Sequence, residues 1–287
     1  MSNPFRVGFI GIGIMGAPTV RCLRAKGWEV TVWNLEPERF AEVESSGAKW
    51  ADSPAAARAA SDVVMICVLG DHAIENVCVG EKGLVTSQGA GVIIDLSTTS
   101  PRMTKHLREM TNLEWLDAPV SGGPKAAEDG KLIMMAGGEP DLLRRLRPLL
   151  DDLTSNLTYM GASGQGQTAK ILNQAIVGAS YVVMAEVLSM SRAAGLDGDI
   201  IAQAFKTGAA DSVILQTIYK QMVAADFEPP RSRAKQLSKD MHSVADFVHV
   251  HGLDTPLLEL AIRQWAAYTD GGNGEADSAS ICRLYGQ

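Results

Sequence analysis

Apolar residues in the first half of the chain come in short unbroken runs separated by amphipathic stretches. Residues 7–10, Glu29–Trp33, 63–68 and 92–96 read as strands, and the run Val63-Val64-Met65-Ile66-Cys67-Val68 is apolar throughout. A strand without polar alternation is one covered on both faces. Helical spacing over 15–26 and from Glu38 onward alternates with these runs, which predicts a parallel sheet flanked by helices. From about Gly164 the pattern changes. Residues 167–194, 199–206, 212–225, 234–251 and 255–268 all read as helices, with no strand-like run between them. The prediction is an α/β domain over 1–163 and an all-α domain over 164–287, joined by a long interdomain helix that follows the turn 159–166. Phe227-Glu228-Pro229-Pro230 reads as a loop, and the last residues as a mobile tail.

A length of 287 residues agrees with two domains, at roughly 150 residues each. The formal net charge of -7, with no basic arm or stripe, argues against a nucleic-acid partner. Cys22, Cys67, Cys78 and Cys282 lack CxxC spacing and lie mostly in apolar stretches. They read as reduced, buried thiols of a cytoplasmic protein, and no metal site is expected. The N-terminus has neither the basic stretch nor the cleavage site of a signal peptide. The apolar segment from Ile171 to Met190 is interrupted by Asn173, Gln174, Ser180 and Glu186, so it reads as a buried helix and not a membrane span.

Candidate chemistry begins at the first turn, Gly11-Ile12-Gly13-Ile14-Met15-Gly16, which follows a strand and opens a helix. In that context Gly11 permits the tight turn, Gly13 leaves room for a pyrophosphate beside the backbone, and Gly16 lets the helix pack close to the strand. The phosphates would rest on a helix N-terminus. This makes the α/β domain a Rossmann-type, NAD(P)-binding one. The end of the second strand reads Trp33-Asn34-Leu35-Glu36-Pro37-Glu38-Arg39. It has neither an acid at position 34 to hold the NAD ribose nor an arginine next to it for the 2′-phosphate of NADP. Asn34 can still bond a ribose hydroxyl, or it simply begins a turn. Leu35 offers no charge, and Glu36 and Glu38 would repel a 2′-phosphate, so NAD(H) is favoured over NADP(H).

Ser121, Gly122 and Gly123, within Asp117-Ala-Pro-Val-Ser-Gly-Gly-Pro124, are too glycine-rich to continue a strand. They read equally as a structural turn or as a cup whose backbone N–H groups hold a carboxylate. Lys170 lies near the start of the long helix, with Asn173 and Gln174 three and four residues on and apolar neighbours on most sides. A solvated lysine is the default on any helix. One that is partly buried gives up its charge more easily, so it can exchange a proton with an alcohol, as hydride transfer at a carbinol carbon requires.

Together these pieces resemble the β-hydroxyacid dehydrogenases, the family of 3-hydroxyisobutyrate dehydrogenase, tartronate semialdehyde reductase and glyoxylate/succinic semialdehyde reductases. The resemblance rests on four motifs in order: Gly11 to Gly16, Asp117 to Gly123, Gly164-Gln-Gly-Gln-Thr-Ala-Lys170 with Asn173, and Lys239-Asp240-Met241. It implies an NAD(P)-dependent interconversion of a small 3-hydroxy acid with its semialdehyde or keto acid, in a homodimer or homotetramer. By resemblance Lys170 is the general acid/base and Ser121, Gly122 and Gly123 bind the substrate carboxylate. Asn173 or Gln174 orients the substrate, Leu69 and Thr98 touch the cofactor, and Lys239 lies near both. Lys125 and the group Arg231, Arg233 and Lys235 read either as a solvated loop or as partners for a second anionic group. Two rivals share the scaffold: an imine reductase, which resembles it in fold but usually has an acid or tyrosine in place of Lys170, and a non-catalytic dinucleotide-binding protein.

Overall fold

The computed structural model describes residues 3–286. The chain divides into two compact units, Met1–Lys170 and Ile171–Gln287. Sequence spacing places the change of domain at 163/164, and the division of units falls nearly two turns inside the long helix, after Lys170.

In the first unit the strands are β1 (Arg6–Ile10), β2 (Glu29–Trp33), β3 (Lys49–Trp50), β4 (Val63–Ile66), β5 (Val92–Asp95), β6 (Glu114–Asp117), β7 (Val120–Ser121), β8 (Leu132–Gly137) and β9 (Thr154–Gly161). The helices are α1 (Gly16–Ala25), α2 (Pro54–Ala59), α3 (Gly70–Val79), α4 (Pro101–Thr111), α5 (Gly123–Glu128) and α6 (Pro140–Leu150). The strands form one sheet ordered β3-β2-β1-β4-β5-β6-β8-β7, with β9 beside β8. β1 to β6 are mutually parallel, β8 runs antiparallel to β6 and β7, and β9 is parallel to β8.

Side chains alternate between two buried layers, as the unbroken apolar runs require. Val7, Phe9, Val63, Met65 and Ile94 pack in one layer with Leu23 of α1 and Leu146 of α6. Ile10, Val64, Ile66 and Ile93 pack in the other with Ile74 of α3 and Leu107 of α4. The order β3-β2-β1-β4-β5-β6 is the doubly wound arrangement whose ligand crevice lies beyond the carboxyl ends of the strands, where the order reverses between β1 and β4.

The second unit takes most of α7 (Gln165–Ala193), then α8 (Gly198–Ala204), α9 (Lys220–Val223), α10 (Ala234–Val250) and α11 (Pro256–Tyr268). Its core gathers Tyr181, Leu188, Tyr219, Met241 and Trp265. Gly178 sets the approach of α7 and α10, since a Cβ there would lie 2.1 Å from the Met241 sulfur. By length and composition α7 could cross a bilayer, yet 44% of its apolar window is already buried within the fold, and Gln167, Lys170 and Gln174 are buried polar groups along it.

Three expectations are corrected. The segment after Glu36 forms two 3-10 turns, Pro37–Glu42 and Glu44–Ser46, instead of an α-helix. Val43, at φ -129°, interrupts them before a helix can propagate. Val120 and Ser121 do resume a strand, for two residues, by pairing antiparallel with Met134 and Ile133. The C-terminal segment is no loose tail. Ser278–Tyr285 is a 3-10 stretch with Ser280, Ile281 and Cys282 buried. It is fastened by a 2.6 Å bond between the Tyr268 and Ser280 hydroxyls and by the Asp277 carboxylate, which accepts the N–H groups of Arg231 and Ala279.

Candidate active site

The parallel register aligns the carboxyl ends of four strands. Ile10 pairs with Ile66, Ile66 with Asp95, and Asp95 with Asp117. The segments that leave this row carry the candidate residues Gly11 to Gly16, Leu69, Thr98, and Ser121 to Gly123, so one sheet edge collects them from four separate places in the chain.

At the first turn Gly11 has φ +99°, and its N–H donates to the Trp33 carbonyl at 2.9 Å, tying the ends of β1 and β2 together. A Cβ on Gly16 would fall 1.8 Å from the Gly11 carbonyl oxygen, whereas one on Gly13 would meet nothing within 4 Å. Gly16 is therefore a packing glycine, and Gly13 leaves bare backbone beside open space at the start of α1. That combination fits a dinucleotide pyrophosphate. Ile12, Ile14 and Met15 complete the turn. Asn34 is buried, its Oδ1 accepts the Ile12 N–H at 2.7 Å, and its Nδ2 donates to the Glu36 carboxylate at 2.7 Å. Leu35 points outward, 76% exposed. Arg39 also reaches this turn, where its Nε donates to the Ile12 carbonyl at 2.6 Å.

Leu69, half exposed, precedes α3, and Thr98 follows β5. Ser121 ends β7 half-buried. Gly122 and Gly123 take φ +123° and +74°, which turns the chain sharply, and a Cβ on Gly123 would meet nothing within 4 Å. The cup is thus a backbone turn open on one side.

Lys170 is held by a buried polar network that the sequence motifs do not announce. The Asp117 carboxylate, at the end of β6, accepts the N–H of Gly164 at 2.8 Å and of Gln167 at 3.1 Å, capping the first turn of α7 from a distant strand. The Gln167 side chain donates to the Ser97 carbonyl at 2.8 Å and to Asp95 at 3.3 Å, and accepts the Thr99 N–H at 3.1 Å. Asp95 also accepts the Ser97 N–H and the Thr99 hydroxyl. Burial pushes the Asp95 carboxyl up to about 7 and Asp117 up to about 6, against the hydrogen bonds that pull both down. Gly166 lets the helix start lie against the strands, since a Cβ there would be 2.5 Å from the Met135 carbonyl oxygen. Lys170 follows Gln167 by three residues on this fastened turn, only 6% exposed.

One turn further along α7 come Asn173 and Gln174. Asn173 Nδ2 donates to Gln174 Oε1 at 2.8 Å, Gln174 Nε2 donates to the Asp240 carboxylate, and Lys239 Nζ lies 2.9 Å from the other Asp240 oxygen. Within the second unit, Asp240 therefore links Gln174 to Lys239. The remaining basic candidates have acidic neighbours: Lys125 pairs with Asp129, Arg231 with Asp226, and Arg233 and Lys235 with Glu275. Lys125 and Arg231 each have an acid of their own, whereas Arg233 and Lys235 share Glu275.

Residues 6–161 match the family described as the NAD binding domain of 6-phosphogluconate dehydrogenase, and 164–285 the family described as NAD-binding of NADP-dependent 3-hydroxyisobutyrate dehydrogenase. The chain is 36% identical to the 2-hydroxy-3-oxopropionate reductase of Escherichia coli over 78% of each chain. Among solved structures it is similar to a 3-hydroxyisobutyrate dehydrogenase from Salmonella typhimurium, with a TM-score of 0.88 and 27% identity over 98% of this chain and 99% of the other. It is also similar to Psf3 in complex with NADP+ and 2-OPP, with a TM-score of 0.89 and 25% identity over 97% of this chain and 99% of the other.

Proposed function

The chain belongs to the β-hydroxyacid dehydrogenase family, NAD(P)-dependent oxidoreductases acting on CH–OH donors, and within it we propose that this protein interconverts a small 3-hydroxy acid and its semialdehyde or keto acid, with Lys170 as the general acid/base. The observation that carries this reading is the buried Lys170 on a helix start that Asp117 and Gln167 fasten to the strand ends. A surface lysine has no use for such support, whereas a proton-transfer group needs a fixed position.

The dinucleotide supplies or accepts the hydride. For it the chain offers the turn Gly11 to Gly16, with open backbone at Gly13, and the flanking Asn34, Leu35, Leu69 and Thr98. Glu36 and the uncharged Leu35 favour NAD(H) over NADP(H). Lys170 takes the hydroxyl proton during oxidation and returns one to the carbonyl oxygen during reduction, so the oxygen never carries full charge. Ser121 with the N–H groups of Gly122 and Gly123 receives the carboxylate, and Lys239 supplies a cation that Asp240 holds. Of the two amides, Gln174 is buried and engaged at both ends, while Asn173 is half-buried. We therefore assign Asn173 to the substrate and Gln174 to holding Asn173 in place.

Leu172, Ile176, Val183 and Met190 form an exposed apolar stripe on α7, with Ile176 at 69%. Water-exposed apolar side chains repeated along one helix are a surface for a partner, and we assign it to a second copy of the chain. Sedimentation equilibrium distinguishes a dimer or tetramer from a monomer.

The catalytic reading is tested by Lys170→Ala, assayed by nicotinamide absorbance against small semialdehydes and the matching 3-hydroxy acids. Turnover should fall by at least about a hundredfold, the lower range for a general acid/base, with dinucleotide binding retained by titration. A fewfold loss would refute the role of Lys170. Turnover of cyclic imines with none on carboxylate substrates would favour the imine reductase reading, and binding without any turnover a non-catalytic one.

A further inference from the structure

The end of β2 lacks the acid that ordinarily holds the adenosine ribose, and Asn34 stands in its place. Asn34 does not have the hydrogen-bonding freedom to replace that acid by itself. Its oxygen accepts the Ile12 N–H at 2.7 Å, and its nitrogen is given to Glu36, at 2.7 Å to the carboxylate and 3.2 Å to the backbone carbonyl. The result is a loop closed back on the strand end: Glu36 lies two residues beyond Asn34, but its carboxylate is drawn back by Asn34 toward the glycine turn. Glu36 is exposed, so this is a carboxylate tethered at one oxygen on an open surface. Asn34 therefore joins Ile12, in the glycine turn, to the Glu36 carboxylate just beyond the end of β2.

We propose that Glu36, tethered by Asn34, is the residue that selects NAD(H): its carboxylate accepts the hydroxyls of the adenosine ribose and repels a 2′-phosphate. This deepens the cofactor preference proposed above and rests on it. Ribose hydroxyls are donors that a carboxylate can accept in charge-assisted bonds, whereas a phosphate on the 2′-oxygen has no proton for it and adds like charge. The competing group is Arg39, which reaches the same turn. Its Nε is given to the Ile12 carbonyl at 2.6 Å, and its Nη2 lies 2.9 Å from Glu42, so its charge is committed to the loop that supports the turn. Leu35, the position next to Asn34, carries no charge, and of the two acids Glu36 and Glu38 it is Glu36 whose carboxylate Asn34 bonds.

The test is direct binding, which needs no substrate and no turnover. Dissociation constants for NADH and NADPH are measured by fluorescence titration on the wild type, Glu36→Gln, Asn34→Ala and Arg39→Gln, with circular dichroism as the fold control. The wild type should bind NADH more tightly. Glu36→Gln should lower the NADH preference by about tenfold, the equivalent of roughly 1.4 kcal/mol, through weaker NADH and tighter NADPH binding. Asn34→Ala should move the ratio in the same direction, and Arg39→Gln should leave it unchanged. A ratio unaltered in Glu36→Gln, or a selective loss of NADPH binding in Arg39→Gln, overturns the assignment of Glu36 while leaving a wild-type NADH preference standing. A wild type that prefers NADPH overturns the cofactor reading itself.

Discussion

The Asp117 carboxylate accepts the backbone N–H of Gly164 at 2.8 Å, joining the end of one strand to the turn that launches the Lys170 helix. Four residues after Asp117 the same segment forms the turn of Ser121, Gly122 and Gly123. One side chain thus ties the start of the Lys170 helix to the segment that carries Ser121, Gly122 and Gly123. Asp117→Asn keeps the size of the side chain but sets an NH₂ group against one of two N–H donors. It should lower kcat by about tenfold and cost about 1–3 kcal/mol of stability, the range for one unsatisfied buried group. The dinucleotide dissociation constant should not change, because the glycine turn belongs to β1 and α1. Steady-state kinetics well below the melting temperature separate the two effects. An unchanged kcat there would leave Asp117 as a fold determinant only.

Asp95 gives the fold a pH dependence of definite sign. Burial, more than any other influence, lifts its carboxyl from an ordinary 3.8 to about 7, with the charge of Asp117 adding to the rise. Between about pH 4 and about pH 7 the folded chain holds a proton there that the unfolded chain has released. Stability accordingly falls as pH rises through that window, and the full penalty is present above it. Each pKa unit corresponds to about 1.4 kcal/mol. Melting temperature should rise on going from about pH 8 to about pH 6, above the range where ordinary carboxylates titrate. In Asp95→Asn that slope should flatten, whatever the variant's absolute stability. An identical slope in both proteins would mean that Asp95 does not carry it.

How much of this was legible in the sequence depends on the range of the interaction. Gly11 to Gly16 was readable because its geometry is local, a strand followed by a glycine turn and a helix. The all-α second unit was readable because helical spacing persists there without interruption. Lys170 could be chosen from its motif, but its support could not. Asp95, Asp117 and Gln167 are far apart in the chain, and only the sheet register brings them together. A signal was nevertheless present, since Asp95 and Asp117 end apolar strands of a parallel sheet, where an acid must be paired or functional. Asp240 stands in the motif Lys239-Asp240-Met241, but its bond to Gln174 is not legible there, since it depends on the packing of Met241 against Gly178. Periodicity does not announce the 3-10 turns after Glu36 or the packed C-terminal segment, because their order comes from tertiary contacts.

The two adjacent amides should respond differently to truncation. Asn173→Ala removes the proposed substrate contact and should lower kcat/KM by about tenfold, the scale of a single lost hydrogen bond of about 1 kcal/mol or a little more. Stability should change little, since Asn173 is only half-buried. Gln174→Ala leaves one oxygen of the Asp240 carboxylate without its donor in a site only 12% exposed, so its first effect should be a lower melting temperature, with kcat/KM falling as a consequence. Gln174→Asn shortens the reach to Asp240 and should fall between the two. Melting curves and kinetics on the same preparations distinguish the roles, and a large kcat/KM loss confined to Gln174→Ala would reverse the assignment.

The glycines of the first turn allow the cofactor site to be separated from the fold. A Cβ on Gly13 meets no atom within 4 Å, and Gly13 is not among the positive-φ residues, so Gly13→Ala should fold and melt like the wild type. The new methyl would occupy the space where the backbone admits a pyrophosphate, and the dinucleotide dissociation constant should rise by at least about tenfold. Gly16→Ala behaves in the opposite way. Its Cβ would lie 1.8 Å from the Gly11 carbonyl oxygen, which is backbone and cannot swing aside, so β1 and α1 must separate. That variant should lose stability first and binding only as a result. Thermal melts paired with NADH titration of both variants decide the matter. If Gly13→Ala binds dinucleotide as tightly as the wild type, the open backbone at Gly13 is not where the pyrophosphate lies, and the assignment of this turn to the cofactor fails.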